Sequence, residues 1–143
     1  MILWLTGNCD AGKTGLAKLL KEQIANVVIL DGDEMRRSIS TDCDFSLRNR
    51  ITHNYRVAKL AVVLSEQGFF VVVSVIAPFE NIRRDLALNM DITWVYVQGG
   101  EEASMEKPYM KPDKETFSVN PKEDGFGESV GQILHYLHEI KKL

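Results

Sequence analysis

The sequence predicts a three-layer α/β fold in which a parallel sheet of about five strands lies between helices. Short apolar runs rich in β-branched residues alternate along the chain with longer segments of helical periodicity, which is typical of βαβ units. One of these runs, Phe69–Ile76, is apolar at almost every position, as expected of a central strand covered by helices on both faces. The chain has 143 residues, of which 45% are hydrophobic, so we expect one domain over residues 1–143.

Strand and helix patterns follow one another in a regular order. The expected strands are Ile2–Leu5, Val27–Leu30, Phe69–Ile76, Ile92–Val97 and, with a weaker pattern, Thr116–Val119. The expected helices are Lys13–Ile24, Leu47–Gln67, Glu80–Leu88 and Glu128–Lys142. The last helix carries apolar residues at spacings of three and four, which form one stripe that can cover the core.

The segment from about residue 98 to residue 116 has a different character. It is polar, contains Gly99, Gly100, Pro108 and Pro112, and shows no sustained period. Such composition favours irregular backbone on the surface. We therefore expect a loop or a short mobile lid here, and we call residues 98–116 the lid segment.

Composition and charge exclude several classes of partner. Lys and Arg number 17 and Asp and Glu 20, so the formal net charge is −3, without the basic excess that holds nucleic acid or anionic lipid. The longest apolar stretch, Phe69–Phe79, is too short for a membrane span. The first residues lack the pattern of a secretory signal, and Cys9 and Cys43 are too few for a disulfide scaffold or a zinc site. The expected location is therefore the cytoplasm.

A phosphate-binding pattern stands between the first strand and the first helix. Residues 7–14 match G-x-x-x-x-G-K-S/T, in the strand-to-helix context that this motif requires. Glycines let backbone N–H groups surround phosphate oxygens, and the following helix adds the positive end of its dipole. The residues expected to bind the nucleotide are Gly7, Asn8, Cys9, Asp10, Ala11, Gly12, Lys13, Thr14 and Gly15.

Two side chains of this loop have specific expected roles. Lys13 would contact the outer phosphates, and the hydroxyl of Thr14 would coordinate Mg²⁺. Asp10 is unusual, because a carboxylate in the loop opposes bound phosphate unless it points outward or pairs with a cation. A glycine-rich turn that binds nothing is the alternative interpretation.

A second cluster, Asp31-Gly32-Asp33-Glu34-Met35-Arg36-Arg37, follows the second strand. In a parallel sheet the carboxyl ends of all strands lie on one edge, so these carboxylates should open onto the same crevice as the phosphate loop. With one strand between the first and the second, their tips would be about 10 Å apart, which leaves room for a transferring phosphoryl group. One Asp could serve magnesium and the other accept a proton from an attacking hydroxyl. The alternative is that Asp33 only caps a helix beginning at Glu34.

In combination these segments resemble the adenylyl-sulfate kinases, a family of P-loop kinases. That family carries a phosphate loop, a D-G-D-x-x-R segment, a D-x-G-F-S-x-x-x-R segment and an S-x-I-S-P strand end. The corresponding segments here are Asp31–Arg36, Asp42–Arg50 and Ser74–Pro78, with order and spacing kept from residue 2 to about residue 97. The resemblance implies a P-loop kinase fold and transfer of the γ-phosphoryl group of ATP, with Mg²⁺, to the 3′-hydroxyl of adenylyl sulfate.

The resemblance also implies roles for individual residues. Lys13, Asp31 and Asp33 would be catalytic, with Thr14 and Asp31 at the metal. Arg36 and Arg50 would hold the phosphosulfate part of the acceptor, and Phe45 would pack on its base. The remaining acceptor contacts would come from Asp33, His53, Ile76 and Ala77.

Two departures from the family pattern concern the acceptor and the lid. His53-Asn54-Tyr55-Arg56 stands where the family carries N-I-R-R, and no Arg follows Arg84, so Lys107, Lys111 and Lys114 are the only cations left for a shortened lid. The alternatives are therefore a kinase for another nucleotide-linked acceptor, such as cytidine diphosphoramidate, or a nucleotide-binding regulatory module with little transferase activity. A homodimer is a further open possibility.

Overall fold

The computed structural model describes all 143 residues and contains one five-stranded parallel sheet with helices on both faces. The strands are β1 (Ile2–Thr6), β2 (Val27–Asp31), β3 (Phe70–Ser74), β4 (Ile92–Val97) and β5 (Ser118–Val119). The helices are α1 (Lys13–Gln23), α2 (Gly32–Arg37), α3 (Leu47–Glu66), α4 (Glu80–Asn89), α5 (Pro121–Asp124) and α6 (Phe126–Glu139). The predicted fold class is confirmed.

The strand order is β2-β3-β1-β4-β5, and every neighbouring pair is parallel. One strand, β3, therefore lies between β1 and β2. The phosphate loop after β1 and the acidic segment after β2 are thus separated by the width of one intervening strand. β3 is an interior strand, and β1 is the middle strand of the sheet. In β1, Leu5 pairs with Ser74 of β3 on one side and with Val95 of β4 on the other.

The core consists of two apolar clusters, one on each face of the sheet. Along β1, Leu3 and Leu5 belong to one cluster, while Ile2 and Trp4 belong to the other, because successive side chains of a strand point to opposite faces. All four are at most 3% exposed. The first cluster is covered by α1 and α6, and the second by α3 and α4. Strands buried on both faces explain the nearly continuous apolar runs in the sequence.

Two short helices lie outside the sequence prediction. α2 begins at Gly32 rather than at Glu34, so Asp33 stands in its first turn and does not cap it. α5 is a four-residue helix in which Pro121 occupies the first turn and the Asn120 side chain accepts a hydrogen bond from the Glu123 backbone N–H. Helices this short show no recognisable 3.6-residue period. None of the helices combines the length and the hydropathy needed for a membrane span.

Candidate active site

A cavity of about 710 Å³ opens at the carboxyl ends of β1, β2 and β3. Most of the predicted site residues line it: Asn8, Cys9, Asp10, Lys13, Thr14, Asp31, Asp33, Arg36, Phe45, Arg50, His53, Ile76 and Ala77. The other predicted residues, Gly7, Ala11, Gly12 and Gly15, belong to the phosphate loop but do not line the cavity. The fold thus brings the phosphate loop and the predicted acceptor residues to one space.

Backbone conformation explains the glycines of the phosphate loop. Gly12 has a φ of 105°, which side-chain-bearing residues rarely adopt, and a Cβ on it would lie 3.1 Å from the Phe126 ring. A Cβ on Gly7 would lie 2.5 Å from the carbonyl oxygen of Val97. The loop therefore depends on glycine both for its turn and for its close approach to β4 and α6.

The ammonium group of Lys13 lies inside the loop. Its Nζ donates hydrogen bonds to the carbonyl oxygens of Gly7 (2.7 Å) and Asn8 (2.9 Å). Burial lowers the pKa of Lys13 to about 8, although electrostatic interactions, chiefly with nearby acidic groups such as Asp31 and Asp33, act in the opposite direction. Two of its three N–H donors are used, so one remains for a phosphate oxygen.

Asp10, the unusual carboxylate of the phosphate loop, pairs with a cation. Its carboxylate lies 3.1 Å from the ammonium group of Lys122 in α5. Its φ of 65° places the residue in the left-handed region, which Asp tolerates better than most residues. The negative charge in the loop is therefore balanced by a cation from a distant part of the chain.

Asp31 forms a cluster of oxygen atoms with two hydroxyl groups. Its Oδ1 accepts hydrogen bonds from Thr14 Oγ1 (2.7 Å) and from Ser74 Oγ (2.9 Å). Carboxylate and hydroxyl oxygens are the donors that Mg²⁺ prefers, and this ion usually takes few protein ligands. The arrangement fits the predicted metal residues and adds Ser74, which begins the S-x-I-S-P-like segment.

Asp33 lines the cavity from the first turn of α2. Its side chain is exposed to the cavity and makes no hydrogen bond or ion pair within the protein. A carboxylate in this state can accept a proton from a bound hydroxyl group.

Two guanidinium groups and one aromatic ring form the predicted acceptor side. The Arg36 guanidinium lies 4.3 Å and the Arg50 guanidinium 5.2 Å from the centre of the Phe45 ring, which is 66% exposed. Burial and the positive charge of Arg50 lower the pKa of Arg36. Two like charges held this close favour binding of an anion.

His53 and Asn54 lie in the wall of the same cavity. His53 Nδ1 is hydrogen-bonded to Ser40 Oγ at 2.7 Å, and burial, together with the charges of Arg36 and Arg56, lowers the pKa of His53 to about 4. The imidazole is therefore neutral at physiological pH. Asn54 is an addition to the predicted site. The sequence signal that could have identified Asn54 is its position beside His53, within the segment that departs from the family pattern.

The lid segment contains no helix or strand and is held against the site by hydrogen bonds. The Asn8 amide donates to the carbonyl oxygens of Glu101 (2.9 Å) and Lys107 (3.2 Å), while Arg50 Nη2 donates to the Glu106 carbonyl (3.0 Å). The lid segment therefore bridges the phosphate loop and α3.

One of the three predicted lid cations reaches the cavity. Lys107 lines it and forms an ion pair with Glu101 at 2.6 Å, whereas Lys111 and Lys114 do not line it. Farther along the segment, the Tyr109 hydroxyl is hydrogen-bonded to Thr6 Oγ1 at 2.9 Å. The lid segment is thus hydrogen-bonded to the rest of the protein both near Glu101 and at Tyr109.

Sequence comparisons agree with the motifs. A sequence profile described as "Adenylylsulphate kinase" matches residues 1–111. An adenylyl-sulfate kinase of Burkholderia ambifaria is 37% identical over 86 residues, which cover 57% of this chain and 48% of that protein. One from Acaryochloris marina is 26% identical over 167 aligned residues, covering 96% of this chain and 82% of the relative. The chain spans about half the length of several relatives that it matches.

A solved structure agrees with the fold. The hexameric APS kinase from Thiobacillus denitrificans superposes with a TM-score of 0.83 at 25% identity, over 99% of this chain and 29% of that chain. The profile match covers more than half of the present sequence and includes the phosphate loop, the D-G-D segment and the residues around Phe45 and Arg50. This chain therefore belongs to the adenylyl-sulfate kinase family.

Proposed function

We propose that this protein transfers the γ-phosphoryl group of ATP to the 3′-hydroxyl of adenylyl sulfate or of a similar nucleotide. The observation that carries the proposal is that one cavity is lined by residues of both kinds: Lys13 and Thr14 of the phosphate loop, and Asp33, Arg36 and Arg50. Family membership supports the same activity. Donor and acceptor would meet between the phosphate loop and α2.

On the donor side, the phosphate loop surrounds the polyphosphate with backbone N–H groups, and Lys13 adds a positive charge. The ammonium group is already held by two carbonyl oxygens, so its position is fixed before the nucleotide arrives. Thr14 and Asp31 would hold Mg²⁺, which would neutralise charge on the phosphate oxygens. Ser74 keeps the Asp31 carboxylate oriented through its hydrogen bond.

On the acceptor side, Asp33 accepts the proton of the attacking hydroxyl group, since its carboxylate faces the cavity without a competing partner. Arg36 and Arg50 hold the anionic part of the acceptor. The base packs on Phe45, whose ring is 66% exposed and lies close to both guanidinium groups.

The test is ADP release from Mg-ATP in the presence of adenylyl sulfate, compared with Asp33→Asn. We expect the variant to lose at least about 100-fold in turnover, since general-base catalysis contributes about 10²–10⁴-fold. Glu34→Gln is the matched control: Glu34 is the next residue of α2, is exposed and does not line the cavity. Equal turnover of Asp33→Asn and the wild type would refute the assignment.

The same assay separates the alternatives. His53 and Tyr55 replace an amide and an arginine of the family pattern, and this favours testing cytidine diphosphoramidate as a second acceptor. Turnover with that compound alone would identify a different acceptor. Binding of ATP without acceptor-dependent ADP release would favour a regulatory module. Lys13→Ala should abolish tight nucleotide binding, and an unchanged affinity would contradict the role of the loop.

All the residues assigned to the site come from one chain. We therefore expect turnover per chain to be independent of protein concentration, even where the chain forms a homodimer. Light scattering after size-exclusion chromatography gives the oligomeric state, and a concentration-dependent turnover would show that a second copy contributes to the site.

A further inference from the structure

Asp10 places a negative charge inside the loop that is expected to bind polyphosphate. The residue lines the cavity together with Lys13 and Thr14. Its carboxylate has no part in the proposed transfer, because Asp31 belongs to the oxygen cluster that fits Mg²⁺ and Asp33 is the expected base. A carboxylate beside bound phosphate opposes binding, since like charges repel beyond contact distance even in water. The loop therefore needs a compensating positive charge to bind ATP tightly.

The short helix α5 brings a cation to this carboxylate. Lys122 Nζ lies 3.1 Å from Asp10 Oδ2, although the two residues are 112 positions apart in the chain. The packing around α5 supports this contact: a Cβ on Gly12 would lie 3.3 Å from Pro121 Cγ, and a Cβ on Gly99 would lie 3.5 Å from Lys122 Cδ. Helix α5 is therefore packed against both the phosphate loop and the start of the lid segment, and this packing keeps the ammonium group of Lys122 near the loop.

The pair of Asp10 and Lys122 contributes little to the stability of the fold. Its side chains are 77% and 47% exposed, and ion pairs as exposed as this are worth little for folding. The pair has a larger effect on a ligand that carries several negative charges, because each charge of the ligand interacts with both partners. The two partners together are neutral, whereas Asp10 alone would repel the ligand.

The other cations near the loop are already engaged. The ammonium group of Lys13 donates to two carbonyl oxygens of the loop, and its remaining donor is assigned to phosphate. Lys107 lines the cavity but is paired with Glu101 at 2.6 Å. Lys122 is thus the cation that balances the carboxylate of the loop.

We infer that Lys122 is a positioning residue for the donor nucleotide, because it neutralises Asp10 and so lets the phosphate loop bind polyphosphate. Lys122 itself does not line the cavity, so it acts through Asp10. This inference rests on the proposed function for the nature of the ligand, a nucleotide with a chain of phosphates. It predicts that the two charges have opposite effects on ATP affinity and that removing both restores the affinity.

The test measures Mg-ATP binding by calorimetry in the wild type, Lys122→Gln, Asp10→Asn and the double variant. Asn tolerates the left-handed φ of 65° at position 10, so Asp10→Asn removes the charge and keeps the loop. In Lys122→Gln we expect the affinity to fall about fivefold or more, since the carboxylate is left uncompensated. Asp10→Asn should bind ATP more tightly than the wild type, and the double variant should bind within about twofold of it.

Two controls separate charge from structure. Lys21→Gln removes the same charge from an exposed residue of α1 that forms no ion pair and does not line the cavity, and it should leave the affinity within about twofold of that of the wild type. At 1 M KCl the loss in Lys122→Gln should shrink to less than about twofold, because the screening length is then about 3 Å. Lys122→Arg keeps the charge and should keep the affinity.

Weak binding in both single variants and in the double variant would show that the contact with α5 acts through the shape of the loop, and it would overturn the inference. Equal affinity of all four proteins, or a loss in Lys122→Gln that persists at 1 M KCl, would overturn it as well. Acceptor-dependent ADP release together with either result would leave the proposed function intact. The expected pattern of ATP affinities without acceptor-dependent ADP release would remove the proposed function and support this inference.

Discussion

The buried ammonium group of Lys13 makes the stability of the unliganded protein depend on pH. In the folded chain burial lowers its pKa from 10.5 to about 8. The unfolded chain therefore binds more protons than the folded chain between pH 8 and 10.5, so stability rises with pH across this window. Below pH 8 Lys13 is protonated in both the folded and the unfolded chain. Keeping it charged in the folded chain lowers the free energy of unfolding by about 3 kcal/mol.

Lys13→Met is the appropriate reference, because it keeps the length of the side chain and cannot titrate. Between pH 7 and pH 9 the free energy of unfolding of the wild type should rise relative to that of the variant by about 1.3 kcal/mol. Urea denaturation of both proteins at the two pH values measures this difference. A difference that stays constant would show that Lys13 is not desolvated in the folded protein.

Nucleotide binding should reverse the effect of burial, because polyphosphate stabilises the charged ammonium group. At pH 9 Lys13 is mostly deprotonated in the unliganded protein, so binding of Mg-ATP should be accompanied by uptake of close to one proton per chain. Calorimetry in two buffers of different ionisation enthalpy measures that uptake. No uptake at pH 9 would contradict a contact between Lys13 and phosphate.

Three further predictions follow from the site. Gly12→Ala should lower the free energy of unfolding by about 1–3 kcal/mol, measured by urea denaturation, because φ is 105° and the added Cβ would crowd Phe126. Since the pKa of His53 is lowered to about 4, the wild type should lose stability as pH falls from 6.5 towards 4, and His53→Asn should remove most of this slope in the same measurement. Asn8→Ala removes two hydrogen bonds to the lid segment, so a glutamate-specific protease should cleave that segment about fivefold faster or more; an unchanged rate would show that Asn8 does not hold it.

Local patterns in the sequence predicted most of the architecture. The four helices and five strands were placed to within a few residues, because helical and strand periodicities depend on neighbouring residues. The largest differences are at α6, which begins at Phe126 and ends at Glu139, and at β3, which ends at Ser74. After Ser74 the chain leaves the sheet, and Ala77 takes a φ of 49°. Element ends depend on tertiary packing and are harder to place from sequence.

Some residues of the site are predictable from local sequence, and others are not. The spacing of Gly7, Gly12, Lys13 and Thr14 indicates a phosphate loop without knowledge of the fold, because the loop is built from consecutive residues. Asn54 was missed, since an Asn on a helix is more often solvated and only the structure shows it buried without a partner.

The sequence by itself determined the fold class, the phosphate loop and the family, because each depends on residue types at short, fixed spacings. The tertiary structure decided which distant groups meet. Strand order sets Ser74 beside Asp31, and packing brings Lys122 to Asp10 and the lid segment to Arg50. Contacts between residues far apart in the chain depend on how the elements pack, and no local spacing encodes them.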